Sequence, residues 1–250
     1  MQTRKRLDVA LVERGLESTR ARAQARILAG DVVVGEHRVD KAGHLVSASD
    51  PIRLKNNSLP YVSRGGLKLK AALETWPMKI KDAIAIDVGA STGGFTDVLL
   101  QENAQLVYAV DVGTNQLAYS IRNHPLVRVF EQTHILKVPV GTFEPKPSVA
   151  VVDLSFISLE RVLPALLPHL EPSARLYLLV KPQFEVRREQ IGKGGIVRDA
   201  AVRQGALARI QKIATQLGLL EIGHRESPIQ GTDGNTEFLA CYESPAGISP

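Results

Sequence analysis

The 250-residue chain reads as an α/β protein, with a mostly parallel, doubly wound sheet behind a small N-terminal α+β module. Three observations predict this. Apolar runs of strand length alternate with helical patterns through most of the chain after residue 83. The stretch 83–95, AIAIDVGASTGGF, carries an apolar strand into Asp87, a glycine-rich turn and a helix. The first 60 residues instead hold two helical stripes and several short β runs, together with most of the formal net charge of +5.

In the first module, expected over 1–56, Leu7, Ala10 and Leu11 form a helical stripe that ends near Gly15. Ser18 is expected to cap a second helix with Ala21, Ala25 and Leu28 on its apolar face, stopped by Gly30. DVVVGEHRVDKAG reads as two short strands around a Gly35 turn, and HLVSASDPIRL as a third strand. Arg22 and Arg26, four residues apart, are expected to share an exposed face suited to a row of phosphates. Arg4, Lys5, Arg6 and Arg20 add to that basic surface.

A polar, proline-containing linker is expected over 57–63, and the larger domain over 64–250. It opens on a helix with Leu69, Ala72, Leu73 and Trp76 as its stripe, flanked by Lys68 and Lys70. Strands then end at Asp87, Asp111, near Glu131, at Asp153 and at Lys181, with helical patterns around 95–102, 114–122, 159–168 and 199–217. A final pair near 219–226 and 236–242 closes the chain.

Composition narrows the function classes. No run approaches the roughly 20 apolar residues that span a bilayer, and the amino-terminal residues alternate charge with apolar side chains, unlike a secretion signal. Cys241 is the only cysteine, which excludes an internal disulfide, and no Cys/His cluster has zinc spacing. The expectation is a cytoplasmic monomer without a metal. A basic small module beside a nearly neutral large one points to an anionic polymer held by the former.

The turn Gly89-Ala-Ser-Thr-Gly93 departs from the G-x-G-x-x-G spacing of dinucleotide sites. Its glycines, with Gly94, allow a sharp turn and close backbone approach, while Ser91 and Phe95 frame it. Asp111 ends the next strand about twenty residues on, where a carboxylate binds both ribose hydroxyls of an adenosine. Glu131 ends the third strand near the place for an adenine, and Asp87 is positioned to steady the turn and the amino-acid end of a cofactor. Either aspartate alone fits a turn cap equally well; together with the turn they favour a nucleotide. This order is similar to the class I S-adenosylmethionine methyltransferases, which have a Rossmann-like fold.

Asp153 and Lys181 follow apolar strands expected to be central, so both emerge at the same sheet edge as the glycine turn. A structural ion pair would also satisfy them.

Several motifs carry a closer resemblance. SRGGLKL, DVGASTGGFTDVLL, VDVGTNQLAYSIR, VVDLSFISL, LVKPQFE, GKGGIVRD and SPIQGTDGNTEFL resemble the hemolysin A (TlyA) family of ribosomal RNA 2′-O-methyltransferases. RLDVALVERGL, STRARAQARILAG and DVVVGEHRV resemble the RNA-binding domain of ribosomal protein S-four. The catalytic half is similar to FtsJ-type RNA methyltransferases, whose Lys-Asp-Lys-Glu tetrad falls here on Lys68, Asp153, Lys181 and Glu237. Glu185 is a rival acid near Lys181. The resemblance implies S-adenosylmethionine as methyl donor and a cytidine ribose in small- or large-subunit rRNA as acceptor. Lys181 would take the hydroxyl proton, Lys68 would steady charge on the oxygen, and the two acids would orient the lysines.

Around this set, Arg64, Lys193 and Arg198 are candidates to touch RNA backbone, although a solvated basic loop fits the latter pair as well. Phe156 and Phe184 suit either stacking on a base or core packing. Three other functions compete: an RNA-binding assembly factor without turnover, a membrane-lysing protein, and a nicotinamide dehydrogenase.

Overall fold

A computed structural model of the chain describes residues 4–17, 19–54, 59–231 and 233–247. They fall into two compact units, 1–60 and 61–250. In chain order the first contains β1 (Lys5–Arg6), α1 (Leu7–Glu13), α2 (Arg20–Leu28), β2 (Val32–Val34), β3 (His37–Arg38), β4 (Leu45–Val46) and β5 (Ile52–Leu54). The second contains α3 (Gly65–Thr75), β6 (Ile84–Val88), α4 (Gly94–Gln101), β7 (Leu106–Val110), α5 (Tyr119–Arg122), β8 (Val127–Phe130), β9 (Val149–Val152), α6 (Leu159–Leu166), β10 (Arg175–Val180), α7 (Pro182–Glu185), α8 (Ala200–Gln216), β11 (Leu220–Glu226) and β12 (Phe238–Glu243).

The first unit departs from the sequence reading in three places. The buried face of α2 is Ala23 and Ile27, whereas Ala21, Ala25 and Leu28 face solvent. Ala23 and Ile27 are also a helical turn apart, and packing with Leu7, Leu11, Val32 and Val46 selects them. The cap is Thr19, whose Oγ1 accepts from the Arg22 N–H at 3.3 Å; the expected cap, Ser18, lies outside the described residues. The expected third strand is two, β4 and β5, because Asp50 accepts from the Ser47 N–H and hydroxyl and turns the chain between them. β4 pairs with β1, and β2 lies between β3 and β5.

Most of the cations expected to bind RNA there are held by acids. Asp8 is fully buried and accepts from Arg6, Arg20 and Gln24. The Arg6 hydrogen bond, more than the other donors, holds its carboxyl far below the usual range. Lys5 pairs with Glu13 at 2.7 Å. Arg26 corrects the expectation of an exposed Arg22–Arg26 row: its side chain is only 17% exposed and is tied to Glu17 and Asp31. Arg22 stays largely exposed, 3.7 Å from Glu17, and Arg4 is exposed.

In the second unit the seven strands run β11-β12-β10-β9-β6-β7-β8. The five from β10 to β8 are parallel; β12 is antiparallel to both β10 and β11. Strand β9, β10 after Arg175 and β6 apart from Asp87 are apolar on both faces, as a sheet covered on each side requires. One layer packs α6 and α8 against it, and the other packs α3 and α4. From β6 the chain winds outward through β7 to β8, then returns to β9 on the other side. The β6–β9 junction is therefore the switch point where open α/β sheets bind ligands. The helix expected over 114–122 is shorter, only Tyr119–Arg122, because Asn115 adopts a left-handed φ of 55° and Ala118, with ψ of 141°, is still extended. Tyr61 is packed in the α3–α4 core layer. Among the described residues no helix is long and apolar enough to cross a membrane.

His169 is buried, edge-on to the Phe143 ring at 5.1 Å, and its Nδ1 has no hydrogen-bond partner. Burial, with Lys146 nearby, pushes it below its ordinary value. The native state therefore holds it neutral, while the unfolded chain takes up a proton near the ordinary value of about 6.5. Stability from this group is complete above that pH and declines below it. Relative to wild type, His169→Leu is expected to gain melting temperature as pH drops from 7 to 5. Parallel pH profiles for the two proteins would refute the assignment.

Candidate active site

The carboxyl ends of β6, β9 and β10 face one cleft of about 630 Å³. It receives Lys68, Asp153, Lys181 and Glu237, four residues scattered over 170 positions of sequence. Each arrives by a different route. Lys68 lies on the buried face of α3, directly before Leu69 in the helix stripe. Asp153 follows β9 and Lys181 follows β10. Glu237 comes from the antiparallel strand: Phe238 of β12 pairs with Val180 of β10, so the residue before β12 lies at the edge where β10 ends.

These four form two ion pairs. Lys68 Nζ donates to Glu237 Oε2 at 2.5 Å, with side chains 9% and 2% exposed. Lys181 Nζ lies 2.6 Å from Asp153 Oδ1 and donates to Ser155 Oγ at 3.2 Å. Two ammonium groups in a half-closed cleft require such partners, since an unpaired buried charge costs several kcal/mol. Removing one member of the Lys68–Glu237 pair leaves the other stranded, at a typical cost of about 3–5 kcal/mol.

The glycine turn abuts this set. Gly89 has φ of 90°, and a Cβ there would stand 2.3 Å from the carbonyl oxygen of Asp153. At Gly94 a Cβ would meet Ser63 Oγ at 2.2 Å. The missing side chains thus make room for the protein's own atoms, in addition to shaping the wall that Gly89, Ser91, Gly94 and Phe95 present to the cleft. Gly93 (φ 92°) backs onto Ile121 instead, away from the lining.

The three acids expected near a cofactor differ in placement. Asp87 lies within β6, one residue before its end, and is fully buried; Thr96 Oγ1 donates to its Oδ2 at 2.7 Å, and Oδ1 has no partner. Burial pushes this carboxyl up to about 7, with Asp153 and Asp111 adding to the rise. It supports the turn from beneath and does not line the cleft. Asp111 accepts from the Ser91 N–H at 2.8 Å and the Gly113 N–H at 2.7 Å. Glu131 is held below the usual carboxylate range by the Asn115 N–H, with Arg122 beside it. Both stand along the ends of β7 and β8, outside the main cleft.

Of the other sequence candidates, Arg64 and the two phenylalanines line the cleft. Core packing is excluded for Phe156: it is 91% exposed with a left-handed φ of 66°, and its ring lies 5.2 Å from that of Phe184. Glu185 is not a rival acid, because it turns away and caps α6 by accepting from Ser158 Oγ and the Leu159 N–H. Lys193 and Arg198 are exposed on the loop after β10, outside the lining. Ser155 and Gln183 were not foreseen; their only signal was adjacency to Asp153 and Lys181. Among the described residues no group of His, Cys, Asp and Glu could hold a metal ion.

The raised Asp87 has a measurable sign. The cofactor-free protein binds its proton between the unfolded value of about 3.9 and the folded one near 7. The stability this group contributes is complete below that window and is lost as pH rises through it. Asp87→Asn is expected to gain melting temperature over wild type, by more at pH 8 than at pH 5. An equal difference at both pH values would refute the buried, proton-holding carboxyl.

Residues 61–244 match the family described as FtsJ-like methyltransferase, and residues 5–52 match the S4 domain. A candidate rRNA methyltransferase of Bacillus subtilis, YqxC, is 48% identical over 94% of this chain and 84% of its own length. The 16S/23S rRNA (cytidine-2′-O)-methyltransferase TlyA of Mycobacterium tuberculosis is 40% identical over 96% of this chain and 90% of its own. The solved structure of a candidate hemolysin from Streptococcus thermophilus covers all of this chain and 91% of that one, at 45% identity and a TM-score of 0.75. With its switch-point cleft, glycine turn and paired lysines, the chain belongs to the FtsJ-like methyltransferase family, and it carries an S4 domain at its amino end.

Proposed function

We propose that this protein transfers a methyl group from S-adenosylmethionine to the ribose 2′-oxygen of a cytidine in ribosomal RNA of the small or large subunit. The observation that carries the reading is the meeting of two lysine–carboxylate pairs beside a glycine turn at the switch point. The S4 domain, with exposed Arg4 and Arg22 and the partly shared guanidinium groups of Arg6 and Arg20, is assigned to hold rRNA phosphates. The setting is cytoplasmic, where ribosomal subunits are found, and a monomer suffices.

The cleft suits that cofactor. Gly94 and Phe95 at the amino end of α4 present a partly positive helix terminus to a carboxylate. The carboxyls of Asp87, Asp111 and Asp153 surround the turn and favour a cationic ligand. Asp111 and Glu131 are assigned to the ribose and adenine side. When bound, the cofactor supplies an electrophilic methyl on its sulfonium.

The protein supplies position and proton transfer. A ribose hydroxyl is a poor nucleophile until its proton has an acceptor, and Lys181 Nζ is assigned that role. Asp153 and Ser155 aim Nζ. Lys68, anchored by Glu237, is assigned to steady the charge that develops on the oxygen. Phe156 and Phe184 offer ring faces to the target base, and the exposed, left-handed Phe156 is the kind of strained residue that function retains. Arg64, Lys193 and Arg198 are assigned to backbone phosphates around the mouth.

Labelled methyl transfer to purified ribosomal subunits tests this reading, and ribose-methylation mapping locates the nucleotide. Lys181→Ala is expected to lower kcat by about 10²–10⁴-fold with the cofactor Kd little changed. Normal transfer by that variant would overturn the mechanism, and no transfer by wild type would leave only a non-catalytic RNA-binding role. For Phe156→Ala, KM for the subunit is expected to rise several-fold while cofactor affinity holds. An unchanged KM would remove the stacking role.

A further inference from the structure

The loop 192–198, which follows a short helical turn at Arg188–Gln190, and the segment leading into β12 are joined by one buried side chain. Asn235 is 1% exposed. Its Oδ1 accepts from the Val197 N–H at 2.9 Å, and its Nδ2 donates to the Gly195 carbonyl at 2.9 Å. The amide thus satisfies one donor and one acceptor of the loop main chain, as a neighbouring strand would. Its own carbonyl accepts from the Gly231 N–H at 2.9 Å, and the Gly234 N–H donates to the Gly231 carbonyl at 2.9 Å, so Gly231, Gly234 and Asn235 meet in a turn.

That turn is fitted around Glu237, two residues on. A Cβ at Gly231 would stand 2.5 Å from Glu237 Oε1, so the turn and the carboxylate share one space. The Ser227 N–H donates to the Glu237 carbonyl at 2.9 Å and holds the backbone from the other side. Both joined segments contribute to the cleft wall: Ile191 and Gly195 from one, Gln230 and Asp233 from the other. The loop is compact in itself, with Gly192 N–H donating to the Ile196 carbonyl at 3.0 Å, and Arg203 holds its far end through the Val197 and Arg198 carbonyls. Lys193 and Arg198 are exposed on it, and the Arg198 guanidinium donates back to the Lys193 carbonyl at 3.4 Å.

We propose that Asn235 is a positioning residue, which ties the 192–198 loop to the turn that seats Glu237, so that the loop's placement and that of the Lys68–Glu237 pair are coupled. This rests on the methyltransferase reading above. RNA held by the loop cations would then bear on the carboxylate that aims Lys68. Among the described residues the glycine turn at 89–94 makes no hydrogen bond to this assembly, so the cofactor Kd is the reading that the tie should leave unmoved.

The test uses the full chain, purified ribosomal subunits and labelled S-adenosylmethionine. Asn235→Ala is expected to lower kcat about tenfold or more while the cofactor Kd stays within about twofold, since small displacements of positioning groups reduce rate steeply. Amide exchange of a peptide covering 192–198 should rise in the same variant. Asn235→Asp keeps the oxygen that accepts from Val197 but turns a carboxylate oxygen toward the Gly195 carbonyl and buries a charge, so its kcat should fall at least as far. A kcat within twofold of wild type, a loss of cofactor affinity matching the loss of kcat, or unchanged exchange would each overturn the tie. If the alanine variant does not fold, the aspartate variant decides by the same readings, and failure of both to fold would show Asn235 to be a folding element only. If wild type transfers no methyl, the functional reading fails and the tie is judged by exchange.

Discussion

Two lysines can occupy one half-closed cleft only if their charge is cancelled where they stand. Here each ammonium is matched to its own carboxylate, Lys68 to Glu237 and Lys181 to Asp153. The pairs come from opposite types of support. Asp153 and Lys181 project from adjacent parallel strands, and Lys68 and Glu237 from a helix and an antiparallel strand packed together. Much of the second unit's architecture serves to bring those four supports to a single edge.

The antiparallel β12 has a particular part in this. A parallel strand would deliver its carboxyl end to the cleft, and whatever follows it would be a loop or helix. By reversing direction, β12 instead places the residue before its first pair at the functional edge, and register with Val180 fixes that residue as Glu237. The glycine turn is fitted just as closely: Gly89 packs against the Asp153 backbone, so the turn and a member of the lysine pairs are in direct contact. Beneath it, a buried carboxyl with an unpartnered oxygen is tolerable in its neutral form and becomes more favourable beside a cation.

The amino-terminal unit shows a different use of charge. A basic composition suggested free cations on a helix face, yet Asp8 and Glu17 gather Arg6, Arg20, Arg22 and Arg26 into networks. A guanidinium has five N–H donors, so an arginine that spends two on a carboxylate still has others for a phosphate, and is held in place while it does so. Such pairing trades net charge for fixed direction.

Local pattern by itself determined the alternation of strands and helices after residue 83, the glycine turn, and the acid or lysine that closes each strand, because period and turn chemistry are properties of neighbouring residues. Motif likeness picked out Lys68 over Lys70 and Glu237 over Glu185, distinctions that spacing could not make. Which face of α2 is buried, where β12 pairs, how the lysines divide between the acids, and that Asn235 bridges two loops were decided only in three dimensions. Each of these depends on partners far apart in the chain, and a side chain's partner across 40 or 170 residues is set by strand order and packing, which no local window contains.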